Sequence, residues 1–268
     1  MKLSYVLPDP ASYGDWSDFE GDLDCMKRAG YDAVELQIAD PAEFDEERVR
    51  RAFDRVGYAM CAFQTGSTYA SRGNCLSSPD EAVRRRTTTL LKSFVDLAAR
   101  WRSVIVFGSL QGRLRDEPDE TLAKRRIRTA IEDVGRYATD RGVVLAFEPV
   151  CHEEVGFHNT IAEVAELVRD LDLPGVRMMI DTFHMNIEEK DLLGCFSGAR
   201  DLLAHVHLSE TNRDVLGSGH WPTAGFCQAL STIGYHGYLS VGVYRTRLPR
   251  RASIERSIAE LRRLLPRS

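Results

Sequence analysis

Short apolar runs alternate with longer amphipathic stretches along this chain, and the alternation repeats eight times. The apolar runs fall at residues 3–7, 33–37, 58–63, 103–107, 143–147, 176–184, 202–208 and 238–244. Runs of this length, bounded by polar or turn residues, predict buried parallel strands. Between them, apolar residues recur with helical spacing at residues 16–28, 44–56, 81–100, 121–138, 160–169, 188–196, 226–233 and 253–265. In the third of these, Leu90, Leu91, Phe94, Leu97 and Ala98 share one face. Gly30 and Gly57 stand where helix C-caps are expected, and Asn159 or Thr160 where an N-cap is expected. Residues 64–79 and 111–118 read as loops.

Eight strand–helix units, each about thirty residues long, with no Pro/Gly-rich or low-complexity linker, predict one α/β domain over residues 1–268. A (β/α)8 TIM barrel needs this repetition, and it gathers functional groups at the C-terminal ends of its strands. A doubly wound sheet would need a Gly-rich nucleotide loop after an early strand, and none is present.

Composition narrows the function classes. Apolar residues make up 43% and charged residues 28%, as in a soluble globular domain. The net charge of -5, with dispersed basic residues, argues against a nucleic-acid partner. No apolar stretch is long enough to span a membrane, and the N-terminus lacks a signal-peptide pattern. Six scattered cysteines without a CxxC pair fit free thiols in a reducing compartment, so the expected location is cytoplasmic.

The chemistry collects at the exits of the later strands. The sixth run reads VRMMIDTFH and turns abruptly polar at Asp181, with His184 three residues on. Glu148 ends the fifth strand and His207 lies near the end of the seventh. In a barrel these positions, one unit apart, are neighbours around one mouth. Two carboxylates and an imidazole suit Mn²⁺, Mg²⁺, Co²⁺ or Zn²⁺. Each residue has a plainer reading: Glu148 as a strand-end ion pair, Asp181 as a helix N-cap, His207 as a core histidine. His184 is expected to leave the strand toward the loop and meet a substrate hydroxyl, a second metal or a local partner. His205 reads as core or support for His207, on the same side of its strand. Glu154, Glu210, Arg213 and His220 lie in exit loops and are candidates to line a polyol pocket. Gly217, Ser218 and Gly219 offer a weaker signal for an anion cradle.

The motifs FEP at 147–149, DTFHMNIEE at 181–189, HVHLSETNR at 205–213 and GYLSVGVYR at 237–245 carry a resemblance along the whole chain. The sequence is similar to the xylose isomerase-like TIM-barrel superfamily, on its sugar isomerase/epimerase side. It most resembles ketose 3-epimerases of the D-tagatose/D-psicose type, with hydroxypyruvate isomerase a near relation. The resemblance implies one divalent metal ion, with Mn²⁺ the first choice, held by Glu148, Asp181 and His207. It implies that Glu148 is also an acid/base, that His184 and Arg213 hold substrate oxygens, and that Glu154 contacts the substrate near its carbonyl. Glu35, Ser109 and His220 are implied as pocket or supporting residues. The implied reaction is a proton transfer beside the carbonyl of a small ketose, through an enediolate that the metal stabilises. A homodimer or homotetramer is implied as well.

One position departs from the family pattern. These enzymes carry a glutamate in the eighth strand, in a pattern like SVEVY, that is both the fourth metal ligand and the second acid/base. This chain reads SVGVY, with Gly242 in that place. The expectation is an open coordination position and a small void. An altered isomerisation, a sugar dehydratase or lyase reaction, and a noncatalytic polyol-binding role are the alternatives this leaves. The abasic-site endonuclease branch of the superfamily is disfavoured, because the exits FQTG at 63–66 and FGS at 107–109 lack the histidines of a three-metal site.

Overall fold

Residues 1–264 are described by the computed structural model, which closes eight parallel strands into a barrel in sequence order. The strands are β1 (Lys2–Leu7), β2 (Ala33–Gln37), β3 (Ala59–Gln64), β4 (Val104–Phe107), β5 (Leu145–Phe147), β6 (Val176–Asp181), β7 (Leu203–Ser209) and β8 (Tyr238–Gly242). Around them lie α1 (Trp16–Ala29), α2 (Glu46–Val56), α3 (Ser67–Arg72), α4 (Glu81–Trp101), α5 (Glu120–Thr139), α6 (Ile161–Leu171), α7 (Thr182–Glu188), α8 (Thr223–Thr232) and α9 (Arg250–Leu264). β1 pairs with β8, which closes the ring and leaves no sheet edge.

Local chemistry sets the helix limits. α1 ends at Gly30 and α2 at Gly57, both with positive φ, and Thr160 and Glu163 form a capping box at the start of α6. The large apolar side chains of strands and helices, such as Phe53, Phe94, Phe147 and Ile131, fill the layer between barrel and helices. Inside the barrel the apolar filling is small and short, with Ala33, Ala62, Val106, Ala146 and Met179. That leaves room for polar side chains. Glu35, His205 and His207 are completely or almost completely buried there.

Four differences from the sequence pattern bear on the site. The predicted helix at 188–196 is displaced to Thr182–Glu188, because Asp181 accepts the Phe183 N–H and starts the helix at once. β8 stops at Gly242, two residues early, because the N–H groups of Tyr244 and Arg245 both turn to the Arg213 carbonyl. The predicted loop at 64–79 contains α3. β5 begins only at Leu145, since the Val143 N–H closes the C-terminal turn of α5 on Ala138. Leu265, in the predicted last helix, lies outside the described residues.

Candidate metal centre and substrate cavity

Strand register brings the predicted residues to one level. Asp181 of β6 pairs with His207 of β7, and His207 pairs with Ser240 of β8. His205 and His207 are two apart and share a strand face, and both bond Glu35 of β2 across the barrel. His205 Nε2 and His207 Nε2 lie 2.8 Å from its two carboxylate oxygens. Ser240 Oγ lies 3.1 Å from His205 Nε2 and also bonds Ser4 Oγ. The barrel interior is thus a polar chain from β1 through β8 to β7 and β2, in which Ser4, Ser240, His205, His207 and Glu35 bond one another.

His207 is the one member with a group left over. Among the described residues its Nδ1 is buried without a hydrogen-bond partner. It faces Asp181 Oδ2 at 3.7 Å, too long for a hydrogen bond. Asp181 divides its work: Oδ1 caps α7, while Oδ2 faces Nδ1 and the cavity. The plainer reading of Asp181 as a helix cap holds on Oδ1, while Oδ2 accepts from Arg213. Glu148 stands just beyond β5 and accepts no side-chain hydrogen bond among the described residues. Its nearest basic atom is His184 Nε2 at 3.8 Å. Glu148, Asp181 and His184 bring ligand atoms within 4.8 Å of one another.

Charge follows from this geometry. Burial dominates at Glu148 and pushes its carboxyl up to about 8. Burial would also raise Asp181, but Arg213, then His207 and His184, hold it below the usual carboxylate range. Burial opposes charge on His207, yet Glu35 and Asp181 outweigh it and raise the imidazole well above its ordinary value. A buried carboxyl short of a cation and an orphaned imidazole nitrogen facing a carboxylate are what a divalent-ion site presents before the ion arrives. By donor chemistry Glu148, Asp181 and His207 Nδ1 suit such an ion, while the ligand atoms that converge within 4.8 Å are those of Glu148, Asp181 and His184. His184 lies close enough to be a further neighbour.

His184 does not leave for the loop; it sits on α7. Its Nδ1 accepts the Cys151 backbone N–H at 3.2 Å. Burial keeps the ring neutral, with its pKa lowered to about 4. The ring proton then sits on Nε2, only 3.1 Å from Arg213 Nη2. Two donors converge there without an acceptor between them, an arrangement that an oxygen atom completes. Arg213 has φ 61°, donates to Asp181 Oδ2 at 3.0 Å, and lies 3.8 Å from the Phe183 ring centroid. Glu154 stands 3.7 Å from Arg213 Nη2.

These groups line a cavity of about 230 Å³ at the C-terminal mouth of the barrel, together with Gln37, Gln64, Ser109, Tyr244 and Arg245. Sequence reasoning missed Gln37, Gln64 and Arg245 as cavity residues. The first two are the last residues of β2 and β3, polar ends on otherwise apolar runs, and that signal was available.

Five expectations are corrected. Glu35 is not a cavity wall: it has no exposure and sits behind His205 and His207, where it orients them. His220 is exposed and bonds Thr211 in the loop, away from the cavity lining. The 217–219 segment is no anion cradle, because the buried Glu210 carboxylate already accepts the Gly217 N–H at 2.7 Å. Glu210 is therefore a loop anchor and not a polyol contact. The void expected at Gly242 is also absent, since the Tyr244 ring and Ser209 Oγ fill it.

A closed parallel barrel with buried carboxylates and imidazoles gathered at its strand ends has the architecture of a (β/α)8 TIM-barrel enzyme. The family model described as "Xylose isomerase-like TIM barrel" matches residues 23–264, and the chain belongs to this family. It is an enzyme of the sugar isomerase/epimerase group, related to ketose 3-epimerases. A ketose 3-epimerase of Arthrobacter globiformis is 30% identical over 213 residues, 79% of this chain and 72% of that protein. An L-ribulose 3-epimerase of Methylomonas sp. is 28% identical over 84% of this chain and 78% of its own length. The structure of a D-allulose 3-epimerase from Methylomonas sp. in complex with D-allulose superposes with TM-score 0.84. It covers 98% of each chain at 22% identity, a likeness of fold alone.

Proposed function

We propose that this enzyme moves a proton at the carbon beside the carbonyl of a small ketose. In this reading Glu148, Asp181 and His207 Nδ1 hold one divalent ion, with Mn²⁺ the first choice. The observation that carries the reading is the buried, unpartnered His207 Nδ1 facing Asp181 at 3.7 Å, with Glu148 beside them. When bound, the ion polarises the carbonyl and offsets the negative charge that develops on its oxygen.

This chain's residues supply the rest. Glu35 takes both His205 Nε2 and His207 Nε2, which fixes the ring so that Nδ1 faces Asp181. Arg213 and His184 hold a substrate oxygen between their converging donors. Glu154, at the outer side of Arg213, orients the guanidinium and accepts from a substrate hydroxyl. Glu148 takes the proton: a cation beside it returns its carboxyl to the charged form, while burial keeps it a stronger base than an exposed glutamate. Relatives named for L-ribulose, D-psicose and other ketose substrates support a free five- or six-carbon ketose as substrate.

The test is hydrogen exchange. With Mn²⁺ in D₂O, the enzyme is expected to replace the hydrogen at C3 of D-psicose or L-ribulose with deuterium. Glu148→Gln should slow that exchange by at least about 10²-fold. Exchange that survives Glu148→Gln in both members of a pair of C3 epimers would contradict the assignment.

A further inference from the structure

The family resemblance puts a carboxylate at the exit of β8, and in this chain Tyr244 takes that space. A Cβ built on Gly242 would lie 2.7 Å from Cε2 of Tyr244 and 2.7 Å from Ser209 Oγ. The ring and any side chain at 242 compete for one volume, so glycine is what lets the ring lie across the strand end. Three contacts hold it there. The Arg213 guanidinium carbon lies 4.9 Å from the ring centroid. The Tyr244 N–H donates to the Arg213 carbonyl at 3.0 Å. Gln64 Nε2 donates to the phenol oxygen at 3.1 Å, which leaves the phenol's own proton unused by Gln64.

Tyr244 lines the same cavity as Glu148, but from another wall. β8 stands three places round the closed ring from β5, nearly across the mouth. On that side the described lining offers Gln37, Gln64, Tyr244 and Arg245. The amides have no proton to transfer, and the arginine stays charged. The phenol is what remains. Resting on the reading of Glu148 given above, we propose that Tyr244 is the second proton-transfer group, acting on the face of the substrate carbon away from Glu148.

The step balances without a redox partner. Glu148 removes the proton, and the C–H electron pair becomes the carbon–carbon double bond of the enediolate. When that pair returns to carbon from the far side, a new C–H bond forms with the Tyr244 proton and a phenolate is left. Arg213 over the ring offsets part of the cost that burial and Asp181 place on that phenolate. The proton on Glu148 then returns to the phenol oxygen through solvent, and the enzyme is restored. In the reverse direction the phenolate takes the proton and the Glu148 carboxyl gives one. Inversion at one carbon is thus possible with no carboxylate in β8.

The experiment follows Tyr244→Phe, which keeps the ring against Gly242 and Arg213 and removes only the hydroxyl. Mn²⁺-loaded wild type and variant are incubated in D₂O with D-fructose and with D-psicose, which differ only at C3. NMR then reads deuterium at C3 and epimer formation separately. Wild type is expected to interconvert the two sugars with deuterium at C3. Tyr244→Phe should form epimer about 10²-fold more slowly or worse. It should keep C3 exchange within about threefold of wild type for one sugar and lose it for the other, since only one presents its hydrogen to Glu148. Epimerisation at the wild-type rate, or loss of exchange from both sugars, would overturn the role of Tyr244. Wild type that exchanges without epimerising would overturn it too, while leaving Glu148 as the base. Wild type that does neither with these two sugars or L-ribulose would contradict the parent reading, and this one with it.

Discussion

The two walls of the cavity are built on different logics. The β5–β7 wall presents Glu148, Asp181 and His184, each tied to a strand end or the short helix after it, with His207 buried behind Asp181. Behind it Glu35 fixes the imidazoles. The β8 wall presents a glycine and an aromatic ring. The first wall is preorganised by hydrogen bonds from the barrel interior, such as the 2.8 Å contact between His207 and Glu35. The second is preorganised by packing, with Gly242, Ser209 and Arg213 around one ring. A metal centre needs oxygen and nitrogen donors, and the first wall with His207 behind it offers two carboxylates and imidazole nitrogens. A proton donor on the opposite face needs only one exchangeable hydrogen at the right place, and a phenol in a packed slot meets that need.

Glu35→Gln should break the comparison most deeply. A glutamine accepts from only one of the two imidazoles, so His207 loses its orientation while every cavity residue is kept. Mn²⁺ affinity is expected to fall by about 10- to 100-fold, measured by calorimetric titration. Unchanged affinity would mean that the polar interior does not support the wall above it.

Gly242→Glu tests the packed wall. The new Cβ displaces the Tyr244 ring, at a cost of about 1–3 kcal/mol from overpacking. The melting temperature should fall by several degrees, at about 2–4 °C per kcal/mol for a chain of this size. Adding Tyr244→Ala to Gly242→Glu should recover part of that loss, because the two side chains no longer compete. Additive losses in the double variant would show that ring and side chain occupy separate space.

A smaller effect probes the rigidity of the β5 wall. His158 packs edge-on against Phe147, the residue before Glu148, and its Nδ1 meets Gln111 Oε1 at 2.9 Å. Burial lowers this imidazole from 6.5 to about 4. Between these values the unfolded chain binds a proton that the folded chain does not, so stability falls as pH drops from 6.5 toward 4. The loss is at most about 3 kcal/mol by linkage. His158→Asn keeps a residue tolerant of the positive φ found there and should flatten this part of the acid-melting profile. An equally steep profile in the variant would assign the acid sensitivity elsewhere.

The barrel and the first wall were legible in the sequence for one physical reason. Parallel strands buried on both faces write continuous apolar runs, so a carboxylate or imidazole at the end of such a run stands out. Asp181, Glu148 and His207 were found that way. The second wall wrote no such signal. Tyr244 reads as one more strand residue, and only the early end of β8, forced by the Arg213 carbonyl, turns its ring into the mouth. Glu35 was visible but misplaced, since a period-two pattern gives the face of a strand and not the depth of a residue along the barrel axis. Gly217 and Gly219 suggested an anion cradle because spacing cannot reveal that Glu210 already occupies it. His184 was placed in a loop because spacing alone does not show that Asp181 caps a helix that starts at once.

The central claim is that three strand ends make one divalent-ion site through an imidazole nitrogen that otherwise has no partner. Its most direct measurement is Mn²⁺ titration by electron paramagnetic resonance on the wild type and on His207→Ala. The variant's fold is monitored by circular dichroism. The account predicts one tightly bound ion per wild-type chain and, in the folded variant, an affinity lower by about 10²-fold or more. No bound ion in the wild type at saturating Mn²⁺, or equal affinity in folded His207→Ala, would contradict it.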